Sequence, residues 1–565
     1  MRLEDRHRYV RNVAGGGFAA PALLPLILAA SAGLGLTQAA CAASPPSEAQ
    51  LNRSAARIEA DVRFLADDLL EGREAGTRGF DIAALYVATR FRQLGLEPAG
   101  DGGSYFQRVP MVRGVREREG ARFAITREGR ATEFAFERDF LPGVNFTAGA
   151  ADVSAPMVFV GQAVRAPELQ HDDLAGVDVK GKIAVLLSNA PKRFPNDQRA
   201  FYASTSEKLR ELERLGAVGA IFLDDPVNEK KRPWALDAPN WRRPGMRRLD
   251  AQGQPIDDFP GLRARIACDV RLADAIFAGS PYTAAEVFAM LEAGTLRSFD
   301  LVGTATLATR ARLEPVDSHN VVARLPGSDA KLAAEHVVFT AHLDHLGVGA
   351  PHDGDAIYNG AQDNAVGVAT MLEAAHLLAS GPVRSKRSGL FIALTAEEKG
   401  LLGAFHFVAQ PTMPLDSVVA NVNMDMPLLV TDVSDVIPIG IEHSTLEAVA
   451  RRAVAEAGLT LTPDPFPDEV VFIRSDQYAF VRKGIPAVYL NGGVKPRDGS
   501  DGSTAFTDFL SHHYHLPSDD LGRPIHWLGA ARLAHVNYRI GLAVGNGRER
   551  PVWKPGDFFG EKFGR

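Results

Sequence analysis

HVVFTAHLDHLG, residues 336–347, is the stretch that decides the fold. Its first half is an apolar run of strand-forming residues. Its second half turns abruptly to imidazole and carboxylate, with His342, Asp344 and His345. The same change recurs downstream. SGLFIALTAEEKG (388–400) runs from apolar strand into Glu397 and Glu398, and SVVANVNMD (417–425) ends in Asp425. Helical periods lie between and after these strands: NAVGVATMLEAAHLLAS from Asn364, KGLLGAFHFVAQ from Lys399, STLEAVARRAVAEAG from Ser444, and a last helix around Trp527 to Val544. IPAVYLNGG from Ile485 reads as a further strand. Alternating strand and helix from about Val316 predicts an α/β sheet covered by helices on both faces.

The chemistry collects at one edge of that sheet. His342, Glu397, Glu398 and Asp425 all fall at the C-terminal ends of expected strands. Asp363, in GAQDNAVG, stands directly ahead of a helix, and HHYHLPSDD (512–520) adds His515. Open α/β sheets bind ligands at that edge. Each residue has a plainer reading when taken alone. His342 with Asp344 makes a hydrated turn, Asp363 makes a helix cap, and the Glu pair makes a solvated loop. His512 and His513 read as surface residues. Taken together, the clusters hold what a two-metal hydrolytic site needs: imidazoles, a shared carboxylate, terminal carboxylates and a spare carboxylate to move a proton. Adjacent residues at a strand end point to different sides, so one glutamate can bind metal while the other serves as general base.

Composition narrows the rest. The 565 residues exceed one ordinary core, so two or three domains are expected. A hydrophobic fraction of 46% and a charged fraction of 23% are those of a soluble globular chain. The net charge of −7 and the absence of a long basic run exclude nucleic acid as a partner. Arg2, Arg6, Arg8 and Arg11 precede an apolar stretch from Phe18 to Leu36 and the small-residue run AACAASPPS. That order is an export signal over 1–42, placing the mature protein in the periplasm or outside the cell. A retained membrane anchor is the alternative, against which Pro21 and Pro25 argue. Cys41 at the signal end is a candidate for lipid attachment, although Gln38 stands where such sites usually carry Leu. Cys41 and Cys268 are the only cysteines, which excludes a disulfide framework and a cysteine-rich zinc site.

A linker is expected at 43–50. IEADVRFLADDLL and FDIAALYVATRFRQLGL then read as helices on either side of EGREAGTRG (71–79), within a first part at 51–115. Residues 116–314 change texture to short β-like runs without candidate ligands, which reads as an inserted domain. Within it, Lys231 to Asp258 reads as a long exposed loop. The α/β pattern occupies 315–548, and 549–565 form a C-terminal tail.

These motifs resemble the co-catalytic two-zinc aminopeptidase family of metallopeptidases, which also includes glutamate carboxypeptidase-like members and transferrin receptors. HLDHLG, IYNGAQDNAVGVA, TAEEKGLLGA, NMD, RSDQYAFVRKGIPAVYL and YHLPSDD follow in family order. VFVGQAVRAPELQHDDLAGVDVKGKIAVLL (158–187) resembles the protease-associated domain that many members carry as an insertion. The resemblance implies a three-layer zinc-exopeptidase domain, with a mixed central sheet and helices on both faces, interrupted by that strand-rich domain. It implies two Zn2+ ions, with His342, Glu398, Asp425 and His515 as terminal ligands and Asp363 bridging. His342 is expected with Asp425, and His515 with Glu398. Glu397 matches the general base, Asp344 the carboxylate that orients the first histidine, and Tyr514 a phenol that steadies the oxyanion. Gln362 and Gln477 depart from the family pattern, the first leaving metal binding intact and the second bearing on substrate or oxyanion contacts.

The implied activity is aminopeptidase hydrolysis of peptide substrates. A carboxypeptidase or dipeptidase of the same family is the alternative, needing a basic pocket that Arg474 or the inserted domain could supply. A non-catalytic binding protein on a peptidase scaffold is the alternative of another class, and the complete ligand set argues against it. Membrane contact is confined to a lipid on Cys41 or an uncleaved signal. Monomer and homodimer both remain open.

Overall fold

The computed structural model describes residues 45–469 and 471–564. The expected export signal and Cys41 lie outside the described residues. Helix Glu48–Leu65 starts earlier than its apolar period suggests, because Ser47 caps it and Gln50 closes a capping box. The 43–50 segment is thus partly helix rather than linker. Leu51, Ile58, Val62 and Leu65 form the buried stripe of this helix.

Two sheets share one strand. In the first, the order in space is Gly245–Arg248, Phe106–Arg116, the second half of Phe299–Leu325, Ser388–Leu394, His336–His342, Val418–Asn423, Ala487–Gly492, Asp435–Ile439 and Thr460–Leu461. The strands from Ser388–Leu394 across to Ala487–Gly492 are mutually parallel. His336–His342 is the pivot: the next strand of this sheet in chain order, Ser388–Leu394, pairs on one side and the one after it, Val418–Asn423, on the other. Strand order reverses there, so the loops leaving the carboxyl ends diverge and open a crevice.

The strand sequence is apolar throughout because both faces are covered. Val337, Phe339 and Ala341 join a core built with helices Glu48–Leu65, Val366–Ser380 and Trp527–Asn546. Val338, with Leu390 and Ile392, packs on the other side against Leu402–Ala409 and Gln477–Val481. The last long helix lies close on the sheet: a Cβ added at Gly541 would stand 2.2 Å from the Phe339 ring. Phe339 also stacks on Phe391 with ring centroids 4.7 Å apart. Truncating Phe339 to Ala is worth about 3–5 kcal/mol in such a setting.

The second sheet contains Arg122–Arg127, the first half of Phe299–Leu325, Ala150–Phe159, Ile183–Leu187, Gly219–Leu223 and Ala264–Cys268, around cores of its own. Strand Phe299–Leu325 pairs within the second sheet at Thr304–Ala308 and within the first at Ala311–Val321.

Lys231–Asp258 is not an exposed loop. It folds into helical turns at Trp234–Asp237 and Ala238–Arg242, then strand Gly245–Arg248 extends the edge of the first sheet. Ala238, Trp241 and Met246 are buried. Its few apolar anchors are spaced too irregularly for either period, so they are lost among Arg and Pro in the sequence. Among the described residues, no helix is long and apolar enough to cross a membrane.

Candidate active site

The crevice collects the expected residues. His342 ends its strand, and its Nδ1 lies 3.0 Å from the main-chain carbonyl of Asp344. A carbonyl can only accept, so Nδ1 carries a proton, and Nε2 is the nitrogen turned to the carboxylates. Nε2 in turn stands 3.0 Å from Asp425 Oδ1 and 3.2 Å from Asp363 Oδ1. On the far side of Asp363, Oδ2 lies 3.3 Å from His515 Nε2, and that nitrogen is 3.2 Å from Glu398 Oε2. The donors therefore form two groups, each with its own histidine and carboxylate, that share Asp363 through different oxygens.

Local structure explains how each arrives. Asp363 sits in a tight turn, Ala361–Ala365, and makes no side-chain cap to the helix that follows. The main-chain N–H groups of Gln362 and Asp363 donate to the Asp519 carboxylate at 2.8 and 3.0 Å. Asn364 ties this turn to the Asp425 loop: its Nδ2 donates to the Met424 carbonyl at 3.0 Å, and its Oδ1 accepts from Met426 N at 3.0 Å. His515 follows helix Gly502–His512 and adopts φ of +60°, with its ring stacked on Tyr514 at 3.8 Å.

Asp344 corrects one expectation. Its carboxylate does not receive the His342 ring N–H. It accepts the main-chain N–H groups of Glu397 and Glu398, at 3.0 and 3.3 Å. The orienting acceptor for His342 is the Asp344 carbonyl, because the chain curls back on itself just after the strand. Asp344 is thus the anchor of the glutamate pair. Burial pushes its carboxyl up to about 7.

Gln477 corrects another. Its amide does not face the crevice. Oε1 accepts from Asn423 at 2.6 Å and Nε2 donates to the Phe472 carbonyl at 2.9 Å, fully buried behind the site. Gln362 Oε1 accepts from Leu429 N at 3.2 Å, also on the inner side.

The electrostatics are those of crowded, buried acids. Burial and the neighbouring Asp425 and Glu398 hold Glu397 well above the usual carboxylate range, against the pull of His342. Glu398 goes the other way: burial opposes its charge, but His515 and His345 outweigh that and hold it well below the usual range. His515 is raised to about 9, its burial overcome by Glu398 and Asp363. Asp476 is fully buried nearby, its carboxyl pushed well up by burial and left without a hydrogen bond on either oxygen. Burial likewise raises Tyr514 well above the usual phenol range.

So many carboxylates out of water cost several kcal/mol each unless cations compensate them. His342 Nε2 facing two carboxylate oxygens calls for positive charge there, which a proton on the ring supplies in the absence of a metal ion and a cation supplies in its presence. The donor types, imidazole and carboxylate, fit divalent metal.

Sequence reasoning left three contributors without a role, all inside motifs quoted above. Arg73 is completely buried and its guanidinium donates to the carbonyls of Leu65, Leu343, Asn359 and Gly360, clamping the loops that carry His342 and Asp363. Asp519 holds the Asp363 turn. His345 points into the cluster itself. Carbonyl partners for a buried arginine are not visible in a sequence.

Comparison with known proteins now bears directly on the site. Residues 320–540 match the family model of peptidase family M28. The match lies in the second, α/β part of the chain and spans less than half of its length. All the expected site residues fall within it. The chain is similar in structure to an aminopeptidase from Aneurinibacillus sp. strain AM-1, with 19% identity, 91% of this chain and 99% of that chain covered, and a TM-score of 0.52. It also aligns with BSAP, a zinc aminopeptidase from Bacillus subtilis, at 20% identity over 86% of this chain and 94% of that one, with a TM-score of 0.43. The first of these establishes the shared fold.

Proposed function

We propose that the protein is a zinc-dependent exopeptidase, an aminopeptidase that removes N-terminal residues from peptides. One observation carries this reading: Asp363 offers one oxygen to the His342–Asp425 group and the other to the His515–Glu398 group, at 3.2 and 3.3 Å. That is the arrangement of a carboxylate bridging two ions. His342, Asp425 and Asp363 would hold one zinc; His515, Glu398 and Asp363 would hold the other. When bound, zinc supplies Lewis acidity that lowers the pKa of water and polarises the scissile carbonyl.

The chain's own groups do the rest. Glu397, anchored through its main-chain N–H by Asp344, takes the proton of the attacking water as the oxygen joins the carbonyl carbon. It holds that proton and passes it to the leaving amine as the C–N bond breaks. Tyr514, whose phenol stays protonated at neutral pH, donates to the developing oxyanion. The buried acids around the crevice suit the free ammonium of a peptide N-terminus. A cavity of about 1250 Å³ lies between the inserted segment and helices Leu402–Ala409 and Gln477–Val481, lined by Arg474, Arg482 and Lys231 among others and by none of the metal-donor residues. Arg474, whose charge interacts with Tyr514 and Glu397, links it to the crevice, and it would take the remainder of the peptide.

The inserted segment reads as a protease-associated domain that screens this cleft. Arg232 donates to the Tyr514 carbonyl at 3.3 Å, and Lys231 pairs with Glu469 at 3.0 Å. The N-terminal charge and apolar pattern further places the mature protein outside the cytoplasm. A carboxypeptidase is favoured by one feature only, Arg474, whose charge interacts with Tyr514 and Glu397 beside the cleft.

The test is metal content together with hydrolysis of free and N-blocked peptides, before and after chelation. Two zincs per chain with chelator-sensitive release of N-terminal residues is the expected result. Cleavage of blocked peptides from their C-terminus would move the assignment to a carboxypeptidase. No metal and no turnover would leave a binding scaffold.

A further inference from the structure

His345 has no assigned role, yet it is the most deeply buried histidine of the crevice, at 0% exposure. Neither of its ring nitrogens makes a hydrogen bond. A buried imidazole without an aligned hydrogen-bond partner is costly, so its surroundings need an explanation. Its Nδ1 lies 2.8 Å from Glu398 Oε1, and that oxygen also lacks a hydrogen bond. The distance is short, but the alignment a hydrogen bond requires is missing. Close approach without alignment is what donors converging on a common cation show. Nδ1 is also 3.9 Å from Asp363 Oδ2, and the donor atoms of His345, Asp363 and Glu398 all lie within 4.8 Å of one another.

The ring's place is built into the fold. Gly360 has φ of +61°, and a Cβ there would stand 2.1 Å from the Asp363 carbonyl oxygen and 2.5 Å from the His345 ring. Only glycine leaves room for the ring beside the Asp363 turn. The His345 main-chain N–H donates to the Arg73 carbonyl at 3.3 Å, which fixes the ring's approach.

We infer that His345 is an additional metal ligand, through Nδ1, on the His515 side of Asp363. The inference rests on the metallopeptidase reading of this site. Glu398 then serves this half with both oxygens, Oε1 toward His345 and Oε2 toward His515. The two halves become unequal. One has His345, His515, Glu398 and the shared Asp363, a full protein donor set of the closed, structural kind. The other has only His342, Asp425 and the shared Asp363, which leaves an open position of the catalytic kind. The first ion is held tightly and exchanges slowly. The second is the exchangeable one and the one with room for substrate.

The test uses the full-length mature protein with zinc, and with cobalt(II) as a spectroscopic substitute. X-ray absorption on the wild-type protein loaded with two zincs should count three imidazoles per ion pair, from His342, His345 and His515, rather than two. Graded chelation should remove the ions in two separate steps. In His345→Ala and His345→Gln, checked for native circular dichroism, the tighter step should weaken by more than the roughly 10- to 100-fold that loss of an outer-shell partner brings. The cobalt absorption of that half should shift while the other half keeps its spectrum. Two imidazoles per pair in the wild type would overturn the inference without touching the peptidase reading. So would variants that keep both the tight step and the cobalt spectrum. A wild-type protein that binds no zinc under any condition would overturn both, so the two failures are distinguishable.

Discussion

Arg73→Lys is a one-residue test of how the site is held together. The Arg73 guanidinium donates to the carbonyls of Leu343 at 3.0 Å, Asn359 at 2.7 Å and Gly360 at 3.1 Å, and also to Leu65. Burial lowers its pKa to about 10, partly offset by Asp519, Asp344, Asp363 and Glu398, so it is charged at neutral pH. Lysine keeps the charge but not the planar fork, and from one point it reaches about half of these carbonyls. Each buried carbonyl left unpaired costs about 1–3 kcal/mol, so the loss should be roughly 3–5 kcal/mol. That is on the order of a thousandfold in the folding equilibrium. The assay is denaturant unfolding of the metal-free protein, with an unchanged slope and a lowered midpoint expected. Zinc affinity, measured separately by calorimetry, should fall as well, because the clamped loops carry His342 and Asp363. A shift below about 1 kcal/mol with unaltered zinc affinity would refute the clamp.

Further predictions concern the general base, the inner network and the inserted segment. Glu397→Gln should keep its metal, by elemental analysis, while kcat falls by about 10²- to 10⁴-fold; wild-type turnover would remove Glu397 from the mechanism. Gln477→Leu should lose about 1–3 kcal/mol of stability by stripping partners from Asn423 and the Phe472 carbonyl, with KM little changed. An altered KM at unaltered stability would return Gln477 to the substrate side. Lys208, buried in the inserted segment, has its pKa lowered by desolvation to about 7 from 10.5, with Asp173 opposing. Between those values the unfolded chain binds more protons than the folded one, so stability should rise with pH across that window, by about 4–5 kcal/mol in all. Lys208→Met should flatten the rise and stabilise the segment at pH 7; an identical slope in wild type and variant would exclude the assignment.

Legibility followed solvent exposure. Strands buried on both faces, such as Val337–Ala341 and Leu390–Leu394, announce themselves because every position must be apolar. Asp435–Ile439 went unread because it is short, contains Pro438 and pairs antiparallel at Val436–Ile439 beside the parallel set. Helix Gly502–His512 was hidden among polar and glycine residues, its buried contacts reduced to Gly502, Phe506 and Phe509. The Lys231–Asp258 stretch was misjudged for the same reason.

The chain alone determined which residue types stand at the ends of which strands. Apolar runs that break into His342, Glu397, Glu398 and Asp425 follow from local alternation, and local alternation is written in order along the chain. What only the tertiary structure decided is who faces whom. Asp344 turned from orienting a histidine to anchoring Glu397 and Glu398, Gln477 turned inward, and Arg73 reached four carbonyls on three separate segments. His345, next to Asp344 in the chain, came to rest against Glu398. A side chain's partner depends on the direction its backbone gives it in a packed crevice. That direction is set by contacts between segments hundreds of residues apart, as with Arg73 and Gly360, which no local pattern records.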